Sequence, residues 1–133
     1  NAPRSMIANL KREAPHDLAY RNALAGIGWA TTVVNAQNPE VMEFFLRHHG
    51  RLATQHDAFA NGISSAIVMR YDTTPDDPHI TPFVTHQPRT TDAAAAWRSL
   101  VTSPCQVAIE RTYGELRQTW ALGQLFHYRP GPV

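Results

Sequence analysis

Histidines and an aspartate form the densest cluster of potentially reactive side chains in the sequence. One short stretch contains His48, His49, His56 and Asp57. Residues seven apart share a face of a helix, so His49 and His56 could point the same way, with Asp57 orienting one imidazole. Helical metal sites instead place their ligands three or four residues apart. We therefore expect solvated or interfacial histidines, and we predict no metal site and no cofactor.

The single cysteine, Cys105, offers a second kind of chemistry. The preceding Ser103-Pro104 is typical of a helix start, which would place the thiol in a first turn, where the helix dipole lowers a thiol pKa. A cysteine nucleophile also needs a histidine base, and the candidates are His79, His86 and His127. Cysteine is also among the most often buried residues. An enzyme that uses Cys105 or the histidine cluster is therefore the alternative hypothesis, and we assign no catalytic residue.

Other reactive motifs are missing or incomplete. The sequence has no glycine-rich phosphate loop and no nucleophile elbow. A calcium loop that began at Asp72 would need glycine at Asp77 and glutamate at Phe83. The segment 103–118 places its glycine too late for a helix-turn-helix, and the final third has too few arginines to track phosphates. A DNA-binding regulator is therefore the weakest alternative, and nucleic acid is not an expected partner.

Composition sets wider limits on function. Twelve basic and eleven acidic residues give a net charge of +1, which provides no strong field for nucleic acid or anionic lipid. No apolar run approaches the ~20 residues that cross a bilayer, so we expect no membrane span. The first ten residues lack the apolar region of a signal peptide. The chain begins at Asn1 and not at Met, which is compatible with a removed leader or a larger parent protein, so the expected localisation stays open between cytoplasmic and secreted or translocated.

Lysine is almost absent, with Lys11 as its only occurrence. A GC-rich genome explains this bias and agrees with the abundance of alanine. A second interpretation is a bacterial protein delivered into eukaryotic cells, since lysine is the acceptor for ubiquitin and its absence would prolong lifetime.

Helical signals dominate the chain. Asn38-Pro39-Glu40 is typical of a helix start, Gly50 predicts a left-handed C-cap, and a second helix is expected to follow from Arg51 to Tyr71. Apolar residues recur there at helical spacing. We place further helices at about 16–35, 91–101 and 105–126. The sequence thus predicts an all-α, single-domain bundle of five to six helices over residues 1–133.

A proline-rich segment interrupts the helices at about 72–91. It contains four prolines, a density at which we expect no helix. Ile80, Phe83 and Val84 are expected to hold its middle against the core, and a short strand at 81–86 is the only regular structure considered. We therefore predict a long loop that takes part in binding or is mobile.

Apolar side chains at helical spacing define the expected core. Its predicted members are Leu24, Ile27, Val34, Phe44, Phe45, Phe59, Ile63, Ile67, Trp97, Ile109, Leu116 and Trp120. Two glycines, Gly26 and Gly28, weaken the first long helix unless a neighbouring helix packs closely on them. We expect such a close crossing.

The helix at Val41 to Leu46 is apolar nearly all round, which requires burial on more than one side. In so small a chain this favours a protein partner or self-association. The predicted partner-binding residues are Met42, Phe44, Phe45, Leu46, Ile80 and Phe83. The main hypothesis is a non-catalytic protein–protein interaction or assembly module, either a structural subunit or a translocated effector domain that binds a host protein.

Overall fold

The computed structural model describes the backbone of residues 2–113 and, within them, the side chains of residues 5–51 and 54–111. Its helices are α1 (Ala2–Glu13), α2 (Asp17–Asn35), α3 (Pro39–Ala53), α4 (Ala58–Thr73), α5 (Ile80–Val84), α6 (Thr91–Trp97) and α7 (Ser103–Val107). Two π-helical stretches, Arg98–Thr102 and Ala108–Tyr113, follow α6 and α7 without interruption. The described residues contain no strand, so the predicted all-α bundle is confirmed. No helix in residues 2–113 is both long and apolar enough to cross a membrane.

Close contact between α2 and α4 depends on two glycines. A Cβ atom at Gly62 would lie closer than 3.0 Å to the carbonyl oxygen of Ala25, and one at Gly28 would approach that of Phe59 equally closely. Only glycine lets two backbones come so near. The predicted crossing at Gly28 is therefore confirmed. The same prediction is wrong for Gly26, where a Cβ atom would have no neighbour within 4 Å.

The core is centred on α4, which is buried on several sides. Of the predicted core, Leu24, Phe45, Phe59, Ile63, Ile67 and Trp97 are buried, and Ile27 and Ile109 are partly buried against them. The prediction is wrong for Val34 and Phe44, which are 66% and 58% exposed. Each lies beside the buried stripe of its helix and is turned away from it by the helical period. Leu116 and Trp120 lie outside the described residues.

Gly50 does not end a helix, contrary to prediction. α3 continues through it to Ala53, and the backbone N–H of Thr54 donates to the Gly50 carbonyl at 2.8 Å. The break falls at residues 54–57, and the next helix begins at Ala58, later than the predicted Arg51. A glycine inside a helix costs only about 1 kcal/mol. The added turn of a packed helix outweighs that cost.

Part of the proline-rich segment is helical. The five-residue helix α5 contains Pro82 and buries Ile80, Phe83 and Val84. The expectation that no helix forms among these prolines is therefore wrong, as is the short strand at 81–86. Pro82 lies in the first turn, where a backbone N–H has no partner within the helix, so its absence is tolerated. The remaining residues, 74–79 and 85–90, form the two connections around α5.

The expected helix start at Ser103-Pro104 is also different in the structure. The chain is helical without a break from Thr91 to Tyr113, and the first π-helical stretch directly precedes Ser103. There the N–H of Ser103 bonds to the carbonyl of Arg98, five residues back. Such a wide turn accommodates a proline inside a helix, because Pro104 supplies no N–H and its ring crowds the preceding turn. Cys105 is therefore inside a helical run.

Candidate functional site

The structure brings only part of the predicted histidine cluster together. His48 is exposed and lies against Phe44, with ring centroids 4.3 Å apart. His49 is buried, whereas His56 lies in the α3–α4 connection with its Nε2 3.9 Å from Asp17 Oδ1. Within residues 2–113 no group of three or more His, Cys, Asp or Glu side chains could hold a metal ion. His48 and His49 remain neighbours, with ring centroids 6.4 Å apart, and His56 is held beside Asp17 instead.

Cys105 has none of the properties of an activated thiol. Its side chain is fully buried, and this burial raises its pKa to about 12. It also lies inside a continuous helical run, so no free helix N-terminus stabilises a thiolate. The structure therefore gives no support for a nucleophilic role of Cys105.

The predicted partner-binding residues divide into two groups. Four of them are buried in the core of the same chain: Met42, Phe45, Ile80 and Phe83. Phe44 is 58% exposed, and Leu46 is partly buried. Phe44 and Leu46 both line one large groove on the surface. Among the predicted partner-binding residues of α3, Phe44 is thus the most exposed.

This groove lies between α3 and α6, is also lined by the connection before α6, and has a volume of about 1030 Å³. Its apolar lining comes from Phe44, Leu46, Ala93, Ala96, Trp97 and Leu100. Its charged lining comes from Glu40, Glu43, Arg47, Arg51, Arg89 and Asp92. Small-molecule pockets commonly occupy roughly 300–1,000 Å³. The groove is therefore at the upper end of that range, with apolar surface and charges of both signs.

Glu43 and His86 connect the two sides of the groove. The Nε2 of His86 is 2.8 Å from Glu43 Oε2, and Arg47 donates to the other carboxylate oxygen at 2.7 Å. The pKa of Glu43 is lowered, chiefly by the hydrogen bond with His86 and further by Arg47, while its burial acts in the opposite direction. Because both carboxylate oxygens already have partners, Glu43 is suited to holding the groove together.

Trp97 packs against the His86 ring that contacts Glu43. The rings of His86 and Trp97 meet edge to face, with centroids 4.8 Å apart. Trp97 in turn packs on Phe83 with centroids 5.4 Å apart. The connection before α6 is therefore fixed to both α3 and the core. Sequence reasoning named His86 only as a candidate base and never singled out Glu43, since 43 residues separate the two and no local pattern links them.

Two hydroxyl groups of the groove lining already take part in hydrogen bonds to the helix backbone. The described lining of the groove contains neither serine nor cysteine. Of its hydroxyl groups, that of Thr90 accepts the N–H of Ala93 as the helix cap of α6, and that of Thr54 donates to the Gly50 carbonyl. Within this described lining no serine or cysteine therefore lies beside the His86 imidazole, the arrangement that a hydroxyl or thiol nucleophile requires.

Four charged side chains of the lining have no ion-pair partner within residues 2–113. They are Glu40, Arg51, Arg89 and Asp92. Two carry negative charge and two carry positive charge. An occupant with charges of both signs and an apolar centre would complement them.

Comparison with protein families, characterised proteins and solved structures found none that is significantly similar to this chain. We therefore infer function from the groove itself.

Proposed function

We propose that this domain is a non-catalytic protein–protein interaction module that holds a polypeptide segment of its partner in the α3–α6 groove. The observation that carries the proposal is the exposed Phe44 at the edge of a large groove. The groove combines an apolar lining with charges of both signs that have no ion-pair partner in the described part of the chain. A peptide segment with an apolar face and charged flanks has the matching chemistry, as in helix-in-groove recognition.

Phe44 supplies the main driving force in this proposal. Full burial of an exposed phenylalanine side chain contributes roughly 1.5–3 kcal/mol, and covering Phe44, which is 58% exposed, contributes part of that. Val41, one turn earlier on α3, is a second exposed apolar side chain at 44% exposure. An exposed aromatic anchor beside a cavity is the arrangement in which a few residues carry most of a binding energy.

Preorganisation of the groove favours binding further. The contacts of His86 with Glu43 and Trp97 already fix the loop before α6 against both walls. A groove that is formed in advance loses less conformational entropy when its occupant arrives. The affinity is therefore expected to come from shape and charge, with little rearrangement of the module.

Two settings fit such a module. As a structural subunit, it would hold a segment of another subunit of the same assembly. As a translocated effector domain, it would hold a segment of a host protein, a setting that agrees with the presence of a single lysine. The groove and its contact residues are the same in both.

Selection from a random peptide library displayed on phage tests the proposal. The key variant is Ala96→Trp, which places a large ring in the groove, and its matched control is Ala95→Trp, because Ala95 is exposed on α6 and does not line the groove. We expect the selected peptides to bind the wild type and the control but to lose at least ~10-fold in affinity for Ala96→Trp. Equal binding to both variants, or no selected peptide, would contradict the proposal.

A further inference from the structure

We propose that the polypeptide held at this groove is α3 of a second copy of the same chain, in a two-fold symmetric dimer. The inference rests on the proposed function, because it uses the same contact surface. It adds the identity of the partner and the orientation of the two helices.

The inference starts from a stripe along α3. Glu40, Phe44, Arg47 and Arg51 are spaced four, three and four residues apart, which places them on one face of the helix. All four are exposed, and all four line the groove. Along the helix, the stripe therefore presents the acid Glu40 first, then the ring of Phe44, and then two arginines.

This order of charges is self-complementary under two-fold symmetry. A two-fold contact places the same patch of both copies together, so that residue i of one meets residue j of the other, and j meets i. If two α3 helices pack antiparallel with the axis between positions 45 and 46, Glu40 opposes Arg51 of the second copy. Phe44 then opposes Arg47 of the second copy, a pairing in which a guanidinium lies over an aromatic ring.

Pairing between copies also gives ion-pair partners to charged side chains that have none in the described part of a single copy. Neither Glu40 nor Arg51 has an ion-pair partner within residues 2–113, and the dimer gives each of them one. The small side chains of Ala93 and Ala96 line the groove, which leaves room for Phe44 of the second copy. Each of these contacts occurs twice in the dimer.

Charge reversal with complementation tests the inference. Glu40→Arg and Arg51→Glu each create two like-charge contacts in a homodimer, so each variant alone should raise the dimer Kd at least ~10-fold. An equimolar mixture should recover dimers, because a heterodimer restores opposite charges at both contacts. Analytical ultracentrifugation of the wild type, the two variants and their mixture measures this directly. Asp76→Arg and Arg98→Glu, at exposed positions outside the groove, are matched controls and should dimerise like the wild type.

Several results would overturn the inference. They are a wild type that is monomeric at millimolar concentration, charge variants that dimerise unchanged, and a mixture that recovers no dimer. Circular dichroism checks that each variant keeps the helical content of the wild type. Phe44→Arg, which sets a second positive charge against Arg47 of the other copy and should also separate the copies, replaces any charge variant that fails this check. Peptide selection repeated on a monomeric sample separates the two proposals. If peptides are still selected at the groove, the partner is another protein and only the inference fails.

Discussion

Glu43 on α3 and His86 before α6 are joined at 2.8 Å between Oε2 and Nε2, although 43 residues separate them in the chain. Their side chains are only 12% and 16% exposed. This pair therefore links the two sides of the groove in a partly desolvated position, where a hydrogen bond that involves a charged group contributes more than it does in water.

Replacing His86 tests this link. His86→Ala should lower the free energy of unfolding by ~1–3 kcal/mol, since it leaves one oxygen of a partly buried carboxylate without its partner. Urea denaturation measures the change. Gln87→Ala, at the neighbouring exposed position, is the control and should stay within ~0.5 kcal/mol of the wild type. Equal effects of the two substitutions would show that the link contributes no stability.

Glu43 also predicts a pH dependence. Its folded-state pKa lies below the ordinary value of 4.5, so its contribution to stability is present above the unfolded-state pKa and is lost as the pH falls through the folded-state pKa. The stability difference between the wild type and Glu43→Gln should therefore be largest near neutral pH and shrink below about pH 4.5. A difference that is constant from neutral to acidic pH would contradict this assignment.

The contact between α2 and α4 predicts opposite effects for two glycines. Gly62→Ala forces a Cβ atom against the Ala25 backbone and should destabilise the protein by ~1–3 kcal/mol or more. Gly26→Ala meets no neighbour within 4 Å and should stabilise by ~0.5–1 kcal/mol through its helix propensity. Thermal unfolding of both variants measures the contrast. Similar melting temperatures would refute the close approach at Gly62.

Two phenylalanines allow a core position to be compared with a surface position. Phe59 is fully buried, whereas Phe44 is 58% exposed. Phe59→Ala should cost ~3–5 kcal/mol of stability because it leaves a cavity, while Phe44→Ala should change the stability of the monomer by no more than ~0.5 kcal/mol. Chemical denaturation at low protein concentration distinguishes them, and a loss below about 1 kcal/mol for Phe59→Ala would place that ring outside the core.

Local signals in the sequence predicted the fold class and much of the core. The Asn38-Pro39 pair marks the start of α3 correctly, and the helical spacing identified Phe59 as a core residue. The helix end predicted at Gly50 was wrong because a glycine ends a helix only when tertiary packing does not favour another turn. The prediction that no helix includes Pro82 was wrong because the position of a proline within a helix, and not its presence alone, decides whether the helix forms.

The site was predictable only in part. Phe44 and Phe45 are adjacent aromatic residues, and which of them faces inward depends on the helices that pack on α3, which no local pattern specifies. The contact between Glu43 and His86 is formed by the tertiary fold and has no spacing to reveal it. The apolar excess on α3 is visible in its sequence, and the structure leaves Val41 and Phe44 exposed, of which Phe44 lines the groove and Val41 does not.

The most direct test of the proposed function is the affinity of Phe44→Asp for a peptide selected against the wild type, measured by titration calorimetry. Val34→Asp is the matched control, because Val34 is also an exposed apolar residue but does not line the groove. We predict that Phe44→Asp weakens binding by ~30-fold or more, the equivalent of ~2 kcal/mol for an anchor residue, and that Val34→Asp binds like the wild type. Unchanged binding by Phe44→Asp, or an equal loss in both variants, would contradict the assignment of this groove as the partner-binding surface.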